Sequence, residues 1–134
     1  MNEQLTFVLV DDDVINNMLS EILIEDEFPE AKMISFLDPE EAIASFSTFF
    51  SPESQSKTFL FLDINMPLMS GWEFLEILDL KGVKKYDSLF IYMLSSSVNK
   101  EDLKKTELNK NITSFIEKPL NNEFLNQLSE IHSQ

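Results

Sequence analysis

Apolar residues follow two rhythms along this chain. Residues 5–10, 33–37, 59–62, 89–94 and 113–117 form short runs bounded by polar or turn-forming residues. Their length and their valine, isoleucine and phenylalanine content predict buried strands. Between the runs, apolar positions recur at three- and four-residue intervals. Ile15, Met18, Leu19, Ile22 and Leu23 predict one face of a helix that closes at Pro29. Asp38-Pro39-Glu40-Glu41 reads as a helix start: a cap, a proline in the first turn and acids at the positive end of the dipole. Ala42, Ile43, Phe46 and Phe49 or Phe50 supply the apolar face of that helix. Residues 51–57 read as a connecting loop. A second loop, 64–71, leads to a helix marked by Trp72, Leu75, Ile77 and Leu78. Residues 99–109 predict a charged, weakly apolar helix, and Phe124, Leu125 and Leu128 mark the last one.

Five strands alternating with five helices predict an α/β fold, a doubly wound parallel sheet covered by helices on both faces. Right-handed crossovers then place every strand's carboxyl end on one edge, where ligands of such sheets bind. Asp11 and Asp12 follow the first strand, Asp63 the third, Ser95 the fourth and Lys118 the fifth. Topology therefore gathers polar residues that are distant in sequence. Three carboxylates so close would repel, so their pKa values rise or a cation neutralises them. Oxygen ligands without histidine or cysteine favour Mg²⁺, with Mn²⁺ as the alternative. Carboxylate, metal, lysine ammonium and hydroxyl together can hold a phosphoryl group, and a carboxylate can be its nucleophile.

Composition narrows the picture. The 134 residues suit a single domain spanning 1–134, with no effector domain beside it. The absence of cysteine removes disulfides and thiolate chemistry. The net charge is −14 and all ten cations are lysines, so a nucleic-acid backbone is an unsuitable direct partner. The one histidine, His132, lies near the end, which speaks against a histidine metal site or a Ser-His-Asp triad. No apolar run reaches membrane-spanning length and the start lacks a signal-peptide pattern, so the expectation is a cytoplasmic protein without a membrane partner.

Four blocks carry a resemblance to a known family: Val8-Leu9-Val10-Asp11-Asp12-Asp13; Phe61-Leu62-Asp63-Ile64-Asn65-Met66-Pro67-Leu68-Met69-Ser70-Gly71; Met93-Leu94-Ser95-Ser96; and Phe115-Ile116-Glu117-Lys118-Pro119-Leu120. In this order and spacing the chain resembles the receiver domains of two-component response regulators, of the stand-alone, chemotaxis-regulator-like kind. The resemblance implies a flavodoxin-like sheet of order 2-1-3-4-5. It implies Asp63 as phosphoacceptor, and Asp11, Asp12, Asp63 and the backbone carbonyl of Asn65 as Mg²⁺ ligands. Lys118 and Ser95 would bind the phosphoryl group, and Ser95 and Phe115 would form the switch. The implied partners are a sensor histidine kinase or a histidine phosphotransfer protein, and a downstream protein target. Such a domain catalyses its own phosphorylation and dephosphorylation only. Ser95 stands where threonine is frequent, and Phe115 where tyrosine is frequent; Phe115 lacks the phenol for a switch hydrogen bond.

Simpler roles exist for several of these residues. Asp13 reads as a cap of the first helix. Phe115 and Trp72 read as core aromatics, and Lys100, Lys104 and Lys105 as a solvated face. Ile15, Met18 and Leu19 are candidates for docking a kinase partner if exposed, and core otherwise. Two alternatives remain at this level. Asp11-Asp12-Asp13-Val14 also fits the aspartate-nucleophile motif of haloacid-dehalogenase-like phosphatases, a reading that leaves the Asp63 block unexplained. A pseudo-receiver scaffold that is never phosphorylated is the other.

Overall fold

The computed structural model describes residues 5–50, 56–82 and 88–132, apart from the side chains of Ser47 and Phe49. In chain order the elements are β1 (Leu5–Val10), α1 (Val14–Glu27), β2 (Lys32–Phe36), α2 (Pro39–Ala44), α3 (Phe46–Phe49), β3 (Lys57–Asp63), α4 (Gly71–Leu80), β4 (Leu89–Ser95), α5 (Lys100–Leu108), β5 (Ser114–Glu117) and α6 (Asn122–His132). The strands form one parallel sheet of order β2-β1-β3-β4-β5, the flavodoxin-like order expected. Of the loop expected at 51–57, residues 51–55 lie outside the described residues, and Lys57 opens β3.

Successive side chains of a strand point to opposite faces, and here the two faces differ in kind. One carries Phe7, Phe59, Phe61 and Tyr92 beneath α1 and α6. Phe7 stacks on Phe59 at 5.0 Å, Phe59 on Phe90 at 5.1 Å and Phe61 on Tyr92 at 5.2 Å between ring centroids. Phe124 of α6 closes the row edge-on against Phe61 and Tyr92. Each such pair adds about 0.5–1.5 kcal/mol beyond its area burial. Burial pushes the Tyr92 phenol up to about 12. The opposite face is mainly aliphatic, Val8, Val10, Leu60, Leu62, Ile91 and Met93, and packs against α2, α3 and α4.

Two sequence expectations need correction, and a third point, left open by the sequence, is decided. The second helical region divides into α2 and α3, because the chain turns at Ser45. Strands apolar and buried on both faces describe β1, β3 and nearly all of β4. The edge strands β2 and β5 are only partly buried, since each has one neighbour. The third concerns α1. Ile15, Met18, Leu19 and Ile22 are 64%, 52%, 48% and 62% exposed, so this stripe faces solvent. The buried positions are Asn16, Asn17, Ser20 and Ile24. The first turns of α1 lie over the polar end of β1, and only Leu23, Ile24 and Phe28 reach the apolar sheet.

Candidate functional site

Backbone hydrogen bonds just past the strand ends set the site's register. Asp11 N–H donates to Phe36 O at 3.1 Å, Ile64 N–H to Leu94 O at 2.9 Å and Lys118 N–H to Ser95 O at 2.8 Å. Asp11, Asp63, Ser95 and Lys118 thus share one edge. The loop after Asp63 returns tightly: Gly71 N–H donates to Ile64 O at 2.8 Å. A Cβ at Gly71 would lie 2.7 Å from the Asp63 carbonyl oxygen, so only glycine permits this approach. Ser70 and Glu73 then start α4 with a reciprocal capping box.

Carboxylate oxygens of Asp11, Asp12 and Asp63 lie within 4.8 Å of one another, with Asp11 and Asp63 buried and Asp12 exposed. Lys118 bridges the buried pair, 2.9 Å from Asp11 Oδ2 and 3.3 Å from Asp63 Oδ1. Burial first, and then the charge of Asp11, push the Asp63 carboxyl up to about 7, against the opposing pull of Lys118 and the Asn65 backbone N–H. Burial works against the Lys118 charge, but the hydrogen bond and charge of Asp11, with Asp63 behind them, hold its pKa above the ordinary value. One lysine thus faces three acids, leaving a net negative pocket of oxygen donors. That donor set fits a hard divalent cation such as Mg²⁺.

Each residue singled out in the sequence has a defined place. Ser95 is buried, and its hydroxyl donates to Ser97 O at 2.8 Å and accepts the Ser97 N–H at 3.3 Å. Its hydroxyl is therefore engaged in its own loop rather than with Asp63. Asn65 is exposed in the β3–α4 loop, its backbone N–H directed to the Asp63 carboxylate. Phe115 is partly buried against the aliphatic core. Asp13 caps α1, accepting Asn16 N–H at 3.1 Å. Trp72 is half-buried, and its indole N–H donates to Asp102 Oδ1 at 3.0 Å. Lys105 is exposed but stands 5.5 Å over the Trp72 ring, so that face is more than solvated.

Two residues at the site escaped the sequence reading. Asn16 Nδ2 donates to Asp11 Oδ2 at 2.8 Å, and Asn17 Nδ2 donates to Asp11 O at 3.0 Å. The available signal was an Asn-Asn pair inside a helix, where asparagine is a poor helix former and needs another reason to be there. The apolar stripe of Ile15, Met18, Leu19 and Ile22 left open which side of α1 turns inward, and so concealed it.

The structure is thus a five-stranded doubly wound sheet with acids, a hydroxyl and a lysine on its carboxyl edge, the architecture of a receiver-type signalling module. The chain belongs to the response regulator receiver domain family, whose model matches residues 7–130. A two component response regulator from Cytophaga hutchinsonii has a similar structure, with a TM-score of 0.79, 25% identity and 96% of each chain covered. Two further structures share the fold. The CheX-CheY-BeF3-Mg²⁺ complex from Borrelia burgdorferi has a TM-score of 0.72 at 22% identity, covering 98% of this chain and 92% of that one. The co-crystal of a Saccharomyces cerevisiae histidine phosphotransfer signaling protein with the receiver domain of its downstream response regulator has a TM-score of 0.70 at 18% identity, covering 98% and 91%. No curated protein matches. Receiver domains are two-component signalling proteins rather than enzymes of metabolism. Among the described residues, no helix is long and apolar enough to cross a membrane.

Proposed function

We propose that this domain accepts a phosphoryl group on Asp63 from a phosphohistidine and signals through the protein surfaces that the modification reshapes. The observation that carries this reading is the Asp11–Lys118–Asp63 bridge on the shared strand edge. An Asp63 oxygen forms the new O–P bond as the donor's P–N bond breaks in line. The electron pair stays on the leaving imidazole nitrogen, and the product is an acyl phosphate. Lys118 neutralises phosphoryl oxygens, and burial keeps water from the nucleophile. Mg²⁺, held by Asp11, Asp12, Asp63 and the Asn65 carbonyl, would supply the remaining positive charge; Mn²⁺ suits the same donors. Ser95 would give up its bonds to Ser97 for the phosphoryl oxygens, and Phe115 would turn toward the space vacated beside β4.

The donor is a sensor histidine kinase or a histidine phosphotransfer protein, docked on the exposed stripe of Ile15, Met18, Leu19 and Ile22. That stripe begins one helical turn from the acidic edge. The yeast co-crystal pairs a histidine phosphotransfer protein with a receiver of this fold. Residues 1–134 would act as one receiver domain, in the cytoplasm, passing the signal by protein binding or phosphorelay. The phosphatase reading has no support in the geometry: Asp13, its second acid, caps α1, and Asp11, its nucleophile, is buried under three donors. A scaffold that is never phosphorylated differs from this reading in one outcome, the absence of an adduct on Asp63. Incubation with acetyl phosphate and Mg²⁺, followed by intact-mass analysis, tests the proposal. One phosphoryl adduct is expected on the wild type and none on Asp63→Asn; an undiminished adduct on Asp63→Asn would place the acceptor elsewhere.

A further inference from the structure

Asp11 is 1% exposed, and its carboxylate has three donors. Asp13 N–H reaches Oδ1 at 2.9 Å, while Asn16 Nδ2 at 2.8 Å and Lys118 Nζ at 2.9 Å share Oδ2. Lys118 also stands 3.3 Å from Asp63 Oδ1, so one ammonium serves two buried acids. The phosphoryl group on Asp63 carries roughly 1.5–2 negative charges, to judge from other phosphorylated side chains, in place of the single charge of the carboxylate, and offers three strong acceptors. Lys118 is drawn toward them. A buried carboxylate oxygen abandoned by its only donor is strongly destabilised. Were Lys118 the sole donor to Asp11 Oδ2, its move to the phosphoryl group would be opposed by that loss. Asn16 removes the conflict, because its amide remains on Oδ2 whichever acid Lys118 serves.

We propose that Asn16 is a positioning residue of the phosphoacceptor site, one that holds the Asp11 carboxylate in place and so releases Lys118 for the phosphoryl group. The inference rests on Asp63 being the acceptor. The local structure is built for such a role. Asp13 accepts the Asn16 N–H at 3.1 Å, and Asn17 Nδ2 binds Asp11 O at 3.0 Å and Phe36 O at 3.5 Å, so α1 is stitched to the ends of β1 and β2. Asn16 is itself buried. The chemistry also selects an uncharged donor. A lysine here would compete with Lys118 for the phosphoryl group, and an aspartate would repel Asp11. Only the amide's N–H₂ end can face the carboxylate.

The same contact bears on the metal. Partners that hydrogen-bond a ligating carboxylate fix its direction, and their loss typically weakens metal binding or activity by about 10–100-fold. Asp11 contributes one of the three clustered carboxylates, so Asn16 would orient a residue that would hold the ion.

The test compares the wild type with Asn16→Ala, with the isosteric Asn16→Asp, and with Ser20→Ala as the baseline for disturbing the buried face of α1. Titration calorimetry with Mg²⁺ alone measures binding without any phosphodonor. NMR of the Lys118 ammonium, with and without beryllofluoride, reports which acid the lysine serves. Phosphorylation of Asp63 by acetyl phosphate at saturating Mg²⁺ measures the consequence. Asn16→Ala is expected to weaken Mg²⁺ binding and to slow phosphorylation by about tenfold each. Its Lys118 signal should respond little to beryllofluoride, whereas that of Ser20→Ala responds as in the wild type. In an Asp11→Asn background Asn16→Ala should cost nothing further, since Asn16 acts through the Asp11 charge. Wild-type Mg²⁺ affinity in Asn16→Ala, or an undiminished cost in the Asp11→Asn background, would overturn the proposal. Should Asn16→Ala not fold, Asn16→Asp keeps the shape and is judged by the same readouts. A wild type that binds Mg²⁺ but never gains a phosphoryl group would refute Asp63 as acceptor, and the Mg²⁺ measurements would still decide what Asn16 does.

Discussion

At the scale of single residues, Asp63 is held in an unfavourable ionic state until something neutralises it. Its pKa rises from 3.8 to about 7, from burial and from Asp11. Between those values the folded protein keeps a proton that the unfolded chain has released. Stability from this residue is therefore present below pH 4 and lost as pH rises through about 7. In metal-free buffer, Asp63→Asn should melt above the wild type at pH 8, with the difference shrinking toward pH 4. Thermal melts at both pH values check this, and an equal difference at both would show that the buried charge is not its cause. The acids, Ser95 and Lys118 were legible in the sequence because each ends an apolar run, and a parallel sheet gathers such ends. Asn16 and Asn17 were not, because their role depends on which way α1 faces.

At the scale of elements, α1 shows why periodicity fixes a face but not its direction. A stripe at 15, 18, 19 and 22 is compatible with facing the core or facing a partner. Here the polar demands of the strand edge claim the inward side. Met18→Ala should therefore leave stability within about 0.5 kcal/mol, as at an ordinary surface position. It should slow transfer from a phosphohistidine donor roughly tenfold, the loss of about 1.4 kcal/mol of docking. Acetyl phosphate should be unaffected. Parallel kinetics with the two donors decide it; equal losses would mean damage to the site. Helix α5 offers a second test. Thr106 is its one buried residue among those described, so the Trp72 N–H to Asp102 bond and Lys105 over the indole supply much of its hold. Trp72→Phe removes the donor and keeps a ring, and should lower the local stability of α5 by about 1–2 kcal/mol. Amide exchange would then speed up in α5 before it does in the sheet. Unchanged exchange there would mean that other contacts hold the helix.

At the scale of the whole molecule, the alternation of runs and faces predicted a doubly wound parallel sheet, and the family resemblance supplied the order that the strands adopt, with departures at the margins. The edge strands β2 and β5 are more open than their residues suggested, since burial depends on neighbours as well as hydrophobicity. The split between α2 and α3 turns on Ser45, which no periodic signal marks. The folded state alone brings Asp11, Asp12 and Asp63 within 4.8 Å, so a cation bound there stabilises folding by mass action. Mg²⁺ at one hundred times its dissociation constant should add about 2.7 kcal/mol and raise the melting temperature accordingly. Asp12→Ala should lose most of that gain, and a melting curve insensitive to Mg²⁺ would count against the cation site. The central claim is the chemistry of one side chain, and locating the modified residue tests it most directly. After reaction with a phosphorylated histidine donor, borohydride reduction converts an acyl phosphate to an alcohol, and peptide sequencing by mass spectrometry then finds homoserine wherever the aspartate was modified. Homoserine at position 63 alone is the expected result. Homoserine at position 11 or 12, or at none, would contradict it.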